Sequence, residues 1–431
     1  MRRGFAVWLS ATLALAAAVP ALADNQITGY FRTAGSMEMA KAIGQTDEAK
    51  PDTIVDQRLR ARWQNNLNEY VSVVWFGELD TTWGKAGKGN IGNGGKQGAD
   101  GVSIETKNAF VDVKLPGVPA ALSTRLGIQP IVDTTFNSVL MNDDFAAATI
   151  SAKTETVTGT LGWAKADEGP ELNGEDDTDL YFLQMGIVPA KGFRLSPELW
   201  FSRNQPADVS EWYLGLGAAA KLAPVDLSAW VLYDGGTDEN DAGDDTDLSG
   251  WAASAKASTE FSGLKAGLRV LYFSEDDSED DRKSFNPPNG ANGGLESFDE
   301  YLQIFLYDSW NMNGAAGRLA LTDAAYKGYG LFGAILSASY TPPALKNAYA
   351  RFSGGYFAAL DDEINDAGKS REGKTLGTEV SLQVGYKVAE KVDFNLRGAY
   401  AFLGDFYDKQ NVDKEDPDDL YKVALMVHVP Y

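Results

Sequence analysis

The chain closes on Tyr421-Lys-Val-Ala-Leu-Met-Val-His-Val-Pro-Tyr431. One face of this stretch carries Tyr421, Val423, Leu425, Val427, Val429 and Tyr431, and the other carries Lys422, Ala424, Met426, His428 and Pro430. The alternation has the period of a strand, not of a helix. At about 3.3 Å per residue its two tyrosines are roughly 33 Å apart, which a tilt near 40° reduces to about 25 Å of height. That is the height of the apolar band on a transmembrane barrel, with one tyrosine at each water interface. A polar backbone in lipid needs every N–H and C=O hydrogen-bonded, so such a strand is stable only within a closed sheet. The rest of the chain must supply that sheet, or the stretch is merely the edge of a soluble β-sandwich.

At the other end, Met1-Arg-Arg-Gly precedes an apolar run from Phe5 to Val19 and then Pro20-Ala-Leu-Ala23. This order describes a secretory signal peptide over residues 1–23, leaving residues 24–431 as one barrel domain. Without Arg2 and Arg3 the 38 basic side chains fall by two, and against 61 acids the mature charge is −25 rather than −23. So acidic a chain gives no footprint for a nucleic-acid partner. It has no cysteine, which removes disulfides and thiolate metal sites from consideration.

Alternating segments recur along the chain. They read at 27–36, 54–64, 71–83, 102–115, 122–129, 146–155, 157–166, 178–189, 193–204, 211–223, 225–234, 248–260, 264–275, 329–340, 348–360, 376–388 and 392–406, followed by the closing strand. In the segment 102–115 Ile104 and Phe110 fall on one face while Val111, Val113 and Leu115 fall on the other, so a bulge is expected there. Short connections such as Pro189-Ala-Lys-Gly192 alternate with long acidic ones such as residues 167–178, 235–247 and 275–297. The fold class expected is therefore all-β: a transmembrane antiparallel β-barrel with short periplasmic turns and long outer loops. Eighteen strands are favoured; residues 298–328 as a hairpin would make twenty, and two weak strands read as loop would leave sixteen.

Enzyme chemistry has little to work with. The one histidine, His428, lies in the closing strand, so Ser-His-Asp, Cys-His and His-rich metal sites are all incomplete. Carboxylate pairs such as Asp176-Asp177, Asp244-Asp245 and Asp361-Asp362 read better as a solvated acidic rim than as hydrolytic pairs. The stretch Asp238 to Asp247 lacks the spacing of an EF-hand loop, so weak divalent-ion bridging is the most it would support. No catalytic residue, metal or cofactor is expected.

The inward-facing set is the informative one. Arg32, Arg58, Arg60, Arg62, Arg125, Arg351 and Arg397 fall on lumen faces, where water or counter-charges must meet them. In lipid each would cost about 2–4 kcal/mol near midplane. Two readings stay open: a wall ladder neutralised by neighbouring acids, or a channel in which the arginines face Asp133, Asp143 and Asp144 if residues 130–145 fold inward. Trp63, Trp75, Trp83, Tyr421 and Tyr431 form the expected membrane girdle.

Signal peptide, alternating strands, arginine ladder, acidic third outer loop and terminal aromatic strand together resemble the general porins of Gram-negative outer membranes. The resemblance implies an outer-membrane lipid environment and a homotrimer whose third loops narrow each channel, with the C-terminal strand recognised by the barrel-assembly machinery. It implies Arg58, Arg60, Arg62 and Arg125 as the basic wall and Asp133, Asp143 and Asp144 as the constriction-loop acids. The function expected is passive diffusion of small hydrophilic solutes and ions with a modest cation preference set by the acidic mouth. A substrate-selective channel for anions or sugars, or a non-conducting adhesin or scaffold, are the alternatives.

Overall fold

A computed structural model describes residues 24–39, 52–85, 92–97, 104–118, 121–169, 176–239, 245–278, 281–288, 295, 298, 300–306, 321–364, 369–409 and 416–431. The expected signal peptide, residues 1–23, lies outside these, as does part of the acidic stretch 238–247. Eighteen long strands form the wall: β1 Asp24–Met39, β2 Asp52–Asn66, β3 Val71–Trp83, β4 Glu105–Leu115, β5 Ala121–Val132, β6 Asn142–Lys153, β7 Val157–Asp167, β8 Thr178–Ala190, β9 Phe193–Asn204, β10 Val209–Leu222, β11 Val225–Glu239, β12 Asp245–Phe261, β13 Leu264–Phe273, β14 Leu331–Tyr340, β15 Ala348–Ala358, β16 Thr375–Ala389, β17 Val392–Leu403 and β18 Leu420–Pro430. Each pairs antiparallel with its sequence neighbours, and a short parallel strand, Gly92–Gly95, joins the end of β3.

The closing strand completes the ring. β18 pairs with β17 on one side and β1 on the other, with His428 opposite Arg32 and Pro430 opposite Tyr30. The seam ends in reciprocal bonds, Gly29 N–H to Tyr431 O at 3.1 Å and Tyr431 N–H to Gly29 O at 2.9 Å. No strand edge is left along this seam, which is the condition lipid imposes.

The two faces separate as the alternation predicts. On β18 Leu425 is 58% exposed on the outside, whereas Lys422 and Met426 are buried on the inside. The bulge expected in the fourth strand is present: Phe76 pairs with Asn108 and Gly77 with Thr106, so Lys107 is unopposed. This extra residue turns Phe110 inward while Ile104 stays outward and exposed. Residues 298–328 contribute no barrel strand among the described residues; they belong to the long connection from β13 to β14, which ends in a short helix, α1 Leu321–Tyr326. Tyr307 and Arg318, limits of the alternative hairpin, lie outside the described residues.

The outward position of Leu425 makes a direct test. Leu425→Arg places a charge in the lipid band at about 2–4 kcal/mol. The heat-modifiable folded band on a cold gel is expected to diminish sharply, whereas Leu425→Val leaves it intact.

Candidate functional site

The connection after β5 is built around one carboxylate. Asp133 accepts hydrogen bonds from the backbone N–H groups of Phe136 at 2.8 Å, Ser138 at 3.0 Å, Leu140 at 2.8 Å and Met141 at 3.2 Å. Asn137 and Ser138 take positive φ values of 60° and 61° to close the curve. Burial first, and the Glu198 carboxylate second, push Asp133 up to about 7 against the pull of the N–H donors. Buried and enclosed by the N–H groups of its own loop, this carboxyl shapes residues 133–141.

This loop reaches the far wall. Phe136 and Thr135 rest against Gly215 and Gly217 of β10, where a Cβ would overlap them. The Gln184 amide of β8 donates to Val132 O at 2.9 Å. Trp230 of β11 and Arg269 of β13 both donate to Asn137 Oδ1, at 3.0 and 3.2 Å. Strands β6 to β9 separate β5 from β10 around the wall, so the loop extends into the lumen to make these contacts.

The connection from β13 to β14 also enters the lumen. Arg282 donates to Glu211 of β10 at 2.6 Å, and Glu300 Oε1 receives Lys256 of β12 at 2.6 Å and Arg269 at 2.8 Å. Glu379 of β16 accepts the backbone N–H groups of Gln303 at 2.5 Å, Ile304 at 3.1 Å and Phe305 at 2.8 Å. Phe305 packs on Phe357 with ring centroids 5.3 Å apart. The Gln303 amide also donates to Gly398 O of β17 at 3.3 Å, so the two loops pack on the wall from β8 to β17. The lumen faces of β18, β1 and β2, with Arg125 of β5 beyond them, lie on the opposite side.

That opposite side carries Arg32, Arg58, Arg60, Arg62 and Arg125, whereas Arg351 of β15 and Arg397 of β17 lie on strands that the second loop touches. Arg58 grips Asp80 through two bonds of 2.8 and 2.9 Å and lies 3.2 Å from Glu78, which also binds Arg60. Arg125 grips Asp112 through bonds of 2.6 and 3.0 Å and covers the Phe110 ring at 4.0 Å. For these three, acids on adjacent wall strands supply the counter-charge. Arg62 instead donates to Gln64 Oε1 at 2.7 Å. Arg351 lies between the rings of Tyr301 and Tyr349, at 4.6 and 4.8 Å, with a 3.4 Å bond to Gln383. Among the described residues, no carboxylate lies within ion-pair distance of Arg62 or Arg351. Arg397 donates to Asn395 at 2.9 Å, and Arg32 is buried beside His428.

The loop acids depart from expectation. Asp133 is turned into its own loop, because four N–H donors hold it there. Asp143 and Asp144 belong to strand β6; Asp143 is exposed, and Asp144 is held by Lys107 and Asn108, each at 2.6 Å. Among the described residues, the ion pairs of Arg58, Arg60 and Arg125 are with Glu78, Asp80 and Asp112 of the neighbouring strands, and that of Asp144 is with Lys107. The girdle residues Trp63, Trp75, Trp83 and Tyr431 are exposed on the outer face and Tyr421 is half-buried. Sequence reading missed Asn137, Lys256, Arg269, Arg282 and Glu300 as lumen residues. The available signal was Gly215-Leu-Gly217, a pair of inward glycines in a strand otherwise well filled, which marks a close approach.

A closed eighteen-stranded barrel with inward loops is the fold of outer-membrane porins. No family model matches the sequence, and a search of curated proteins finds no match. Solved structures do match over nearly the whole chain. OccK8 (OprE) of Pseudomonas aeruginosa has a TM-score of 0.57 at 12% identity, covering 95% of this chain and 98% of that one. OccK2 (OpdF) of the same organism, solved in complex with glucuronate, gives 0.58 at 13% identity, covering 94% and 98%. A BenF-like porin from Pseudomonas fluorescens Pf-5 gives 0.57 at 12%, covering 95% and 98%.

The seat of the first loop is testable by size. Gly215→Val is expected to displace Phe136 and raise single-channel conductance, while the wall ladder keeps the barrel folded. Asp133→Ala leaves four N–H groups without their acceptor, at about 1–3 kcal/mol for each one left unsatisfied. Current recordings should then show added fluctuation at unchanged heat-modifiable mobility.

Proposed function

We propose that this outer-membrane barrel is a passive channel selective for small anionic solutes that carry a carboxylate. The observation that supports this most is the state of Arg62 and Arg351, two lumen cations whose contacts among the described residues are neutral. A guanidinium left without a carboxylate partner presents a fork matched to a carboxylate of the solute. The inward loops narrow the water path on the side facing the wall that holds Arg62, which strengthens its field. The glucuronate bound by OccK2 is a carboxylate of this class.

The cation-preferring diffusion channel is the second reading, favoured by the net charge of −23. The expected homotrimer and the recognition of the C-terminal strand by the assembly machinery belong to either reading. Reversal potentials in a salt gradient across planar bilayers separate the two. An anion preference is expected, with glucuronate reducing chloride current at millimolar concentration. Arg62→Gln with Arg351→Gln should lower the anion-to-cation permeability ratio by about threefold to tenfold, corresponding to roughly 0.7–1.4 kcal/mol. Cation selectivity in the parent would defeat this proposal in favour of the second reading.

A further inference from the structure

Beneath the point where the two inward loops meet, the turn end of the lumen holds a polar cavity of about 220 Å³. Its walls are Lys256 and Ser258 of β12, Lys265 and Arg269 of β13, and Ser337 and Ser339 of β14. Gly267 forms the floor: it pairs with Ser258 on one side and Ser337 on the other and places no side chain between them. Asn137 of the first loop and Glu300 and Tyr301 of the second form the roof. Lys265 and Ser339 line the cavity beside the short turn between β12 and β13 at Ser262–Gly263, and short turns mark the periplasmic end of an outer-membrane barrel.

The charges in this cavity do not cancel. Glu300 engages both Lys256 and Arg269 through one oxygen. Lys265 is exposed, and among the described residues no carboxylate lies within ion-pair distance of it. Three lining cations against one lining carboxylate, with Glu260 opposite Lys265 in the adjoining hairpin, still leave a surplus of positive charge beside three serine hydroxyls and an amide. An aliphatic carboxylate would satisfy the cations and leave the serines facing carbon. A neutral polyol would satisfy the serines and leave the surplus charge in place.

We propose that this cavity is a periplasm-facing station for a small hydroxylated carboxylate, its anionic end toward Lys256 and Lys265 and its hydroxyls toward Ser258, Ser337 and Ser339. The proposal rests on the reading of the protein as a carboxylate channel and adds where a solute pauses after passing the loops. Tyr301 joins the two regions, since its ring covers Arg351 at 4.6 Å and also lines the cavity. The volume suits a compact solute, because a cavity of about 150 Å³ already takes up benzene.

Glycerate, butyrate and glycerol are matched in size and differ in bearing both groups, the carboxylate alone or the hydroxyls alone. Calorimetric titration of the full barrel in detergent is expected to show glycerate binding about tenfold or more tightly than either control. Lys265→Ala and Ser337→Ala should each weaken glycerate severalfold, and Gly267→Leu, which fills the floor, should abolish the Lys265-dependent component. Equal binding of the three solutes overturns the proposal, as does absence of glycerate binding. So does glycerate binding that Lys265→Ala and Ser337→Ala leave unmoved in barrels that retain heat-modifiable mobility. Calorimetry requires no current, so the two readings fail separately. A cation-selective reversal potential with Lys265-dependent glycerate binding defeats the carboxylate channel and keeps the cavity, whereas anion selectivity without that binding does the opposite.

Discussion

Everything in this protein depends on the requirement that no backbone N–H or C=O be left unpaired in lipid. Helices meet it within one segment, but a strand meets it only through neighbours, so the first and last strands must find each other. Here they do so along a register running from Tyr30 opposite Pro430 to Met39 opposite Tyr421. The ring then fixes everything else about placement. Alternation sends one side-chain set to lipid and the other to the lumen, and a single bulge at Lys107 corrects a strand whose sequence would otherwise place Phe110 outside.

Once the wall is closed, the lumen becomes the place where loops are held, and Phe136, Leu140, Phe285 and Ile304 of the loops bury themselves in one apolar cluster with Trp200, Tyr213 and Phe357 of the wall. Carboxylates serve as the fixing points. Asp133 collects four backbone N–H groups of its own loop, and Glu379 collects three from residues 303–305. Such bonds are costly to break once buried, because each N–H would be left without an acceptor. Aromatic rings then complete the packing, with Phe136 on Trp230 at 5.8 Å and Phe305 on Phe357. The loops are thus held by polar anchors and seated on small wall residues, a combination that fixes their direction as well as their depth.

Those facts explain what the sequence disclosed and what it withheld. The strand pattern was legible because lipid enforces alternation over ten or more residues in nearly every strand, and the bulge was legible as a conflict of phase between Ile104 and Val111. The arginine faces followed from the same parity. Loop placement did not follow, because an inward loop obeys no period. Asp133 looked like a pore acid because sequence gives a carboxylate no indication of where its donors are. Glu300, Lys256 and Arg269 meet only through a connection of irregular sequence, and nothing local to any of them announces the other two.

Selectivity in such a channel is decided by the charges that lack partners, not by the total. The chain is strongly acidic, yet Asp80, Glu78 and Asp112 are each committed to an arginine beside them, and Asp133 is committed to its own backbone. Exposed acids at the rim are screened beyond about 8 Å at physiological salt. Among the described residues, this pairing leaves over Arg62 and Arg351, which contact neutral groups. Net charge and local pairing therefore point in opposite directions here, and under the proposed function the local charges govern, because rim charges are screened while a charge beside the solute is not.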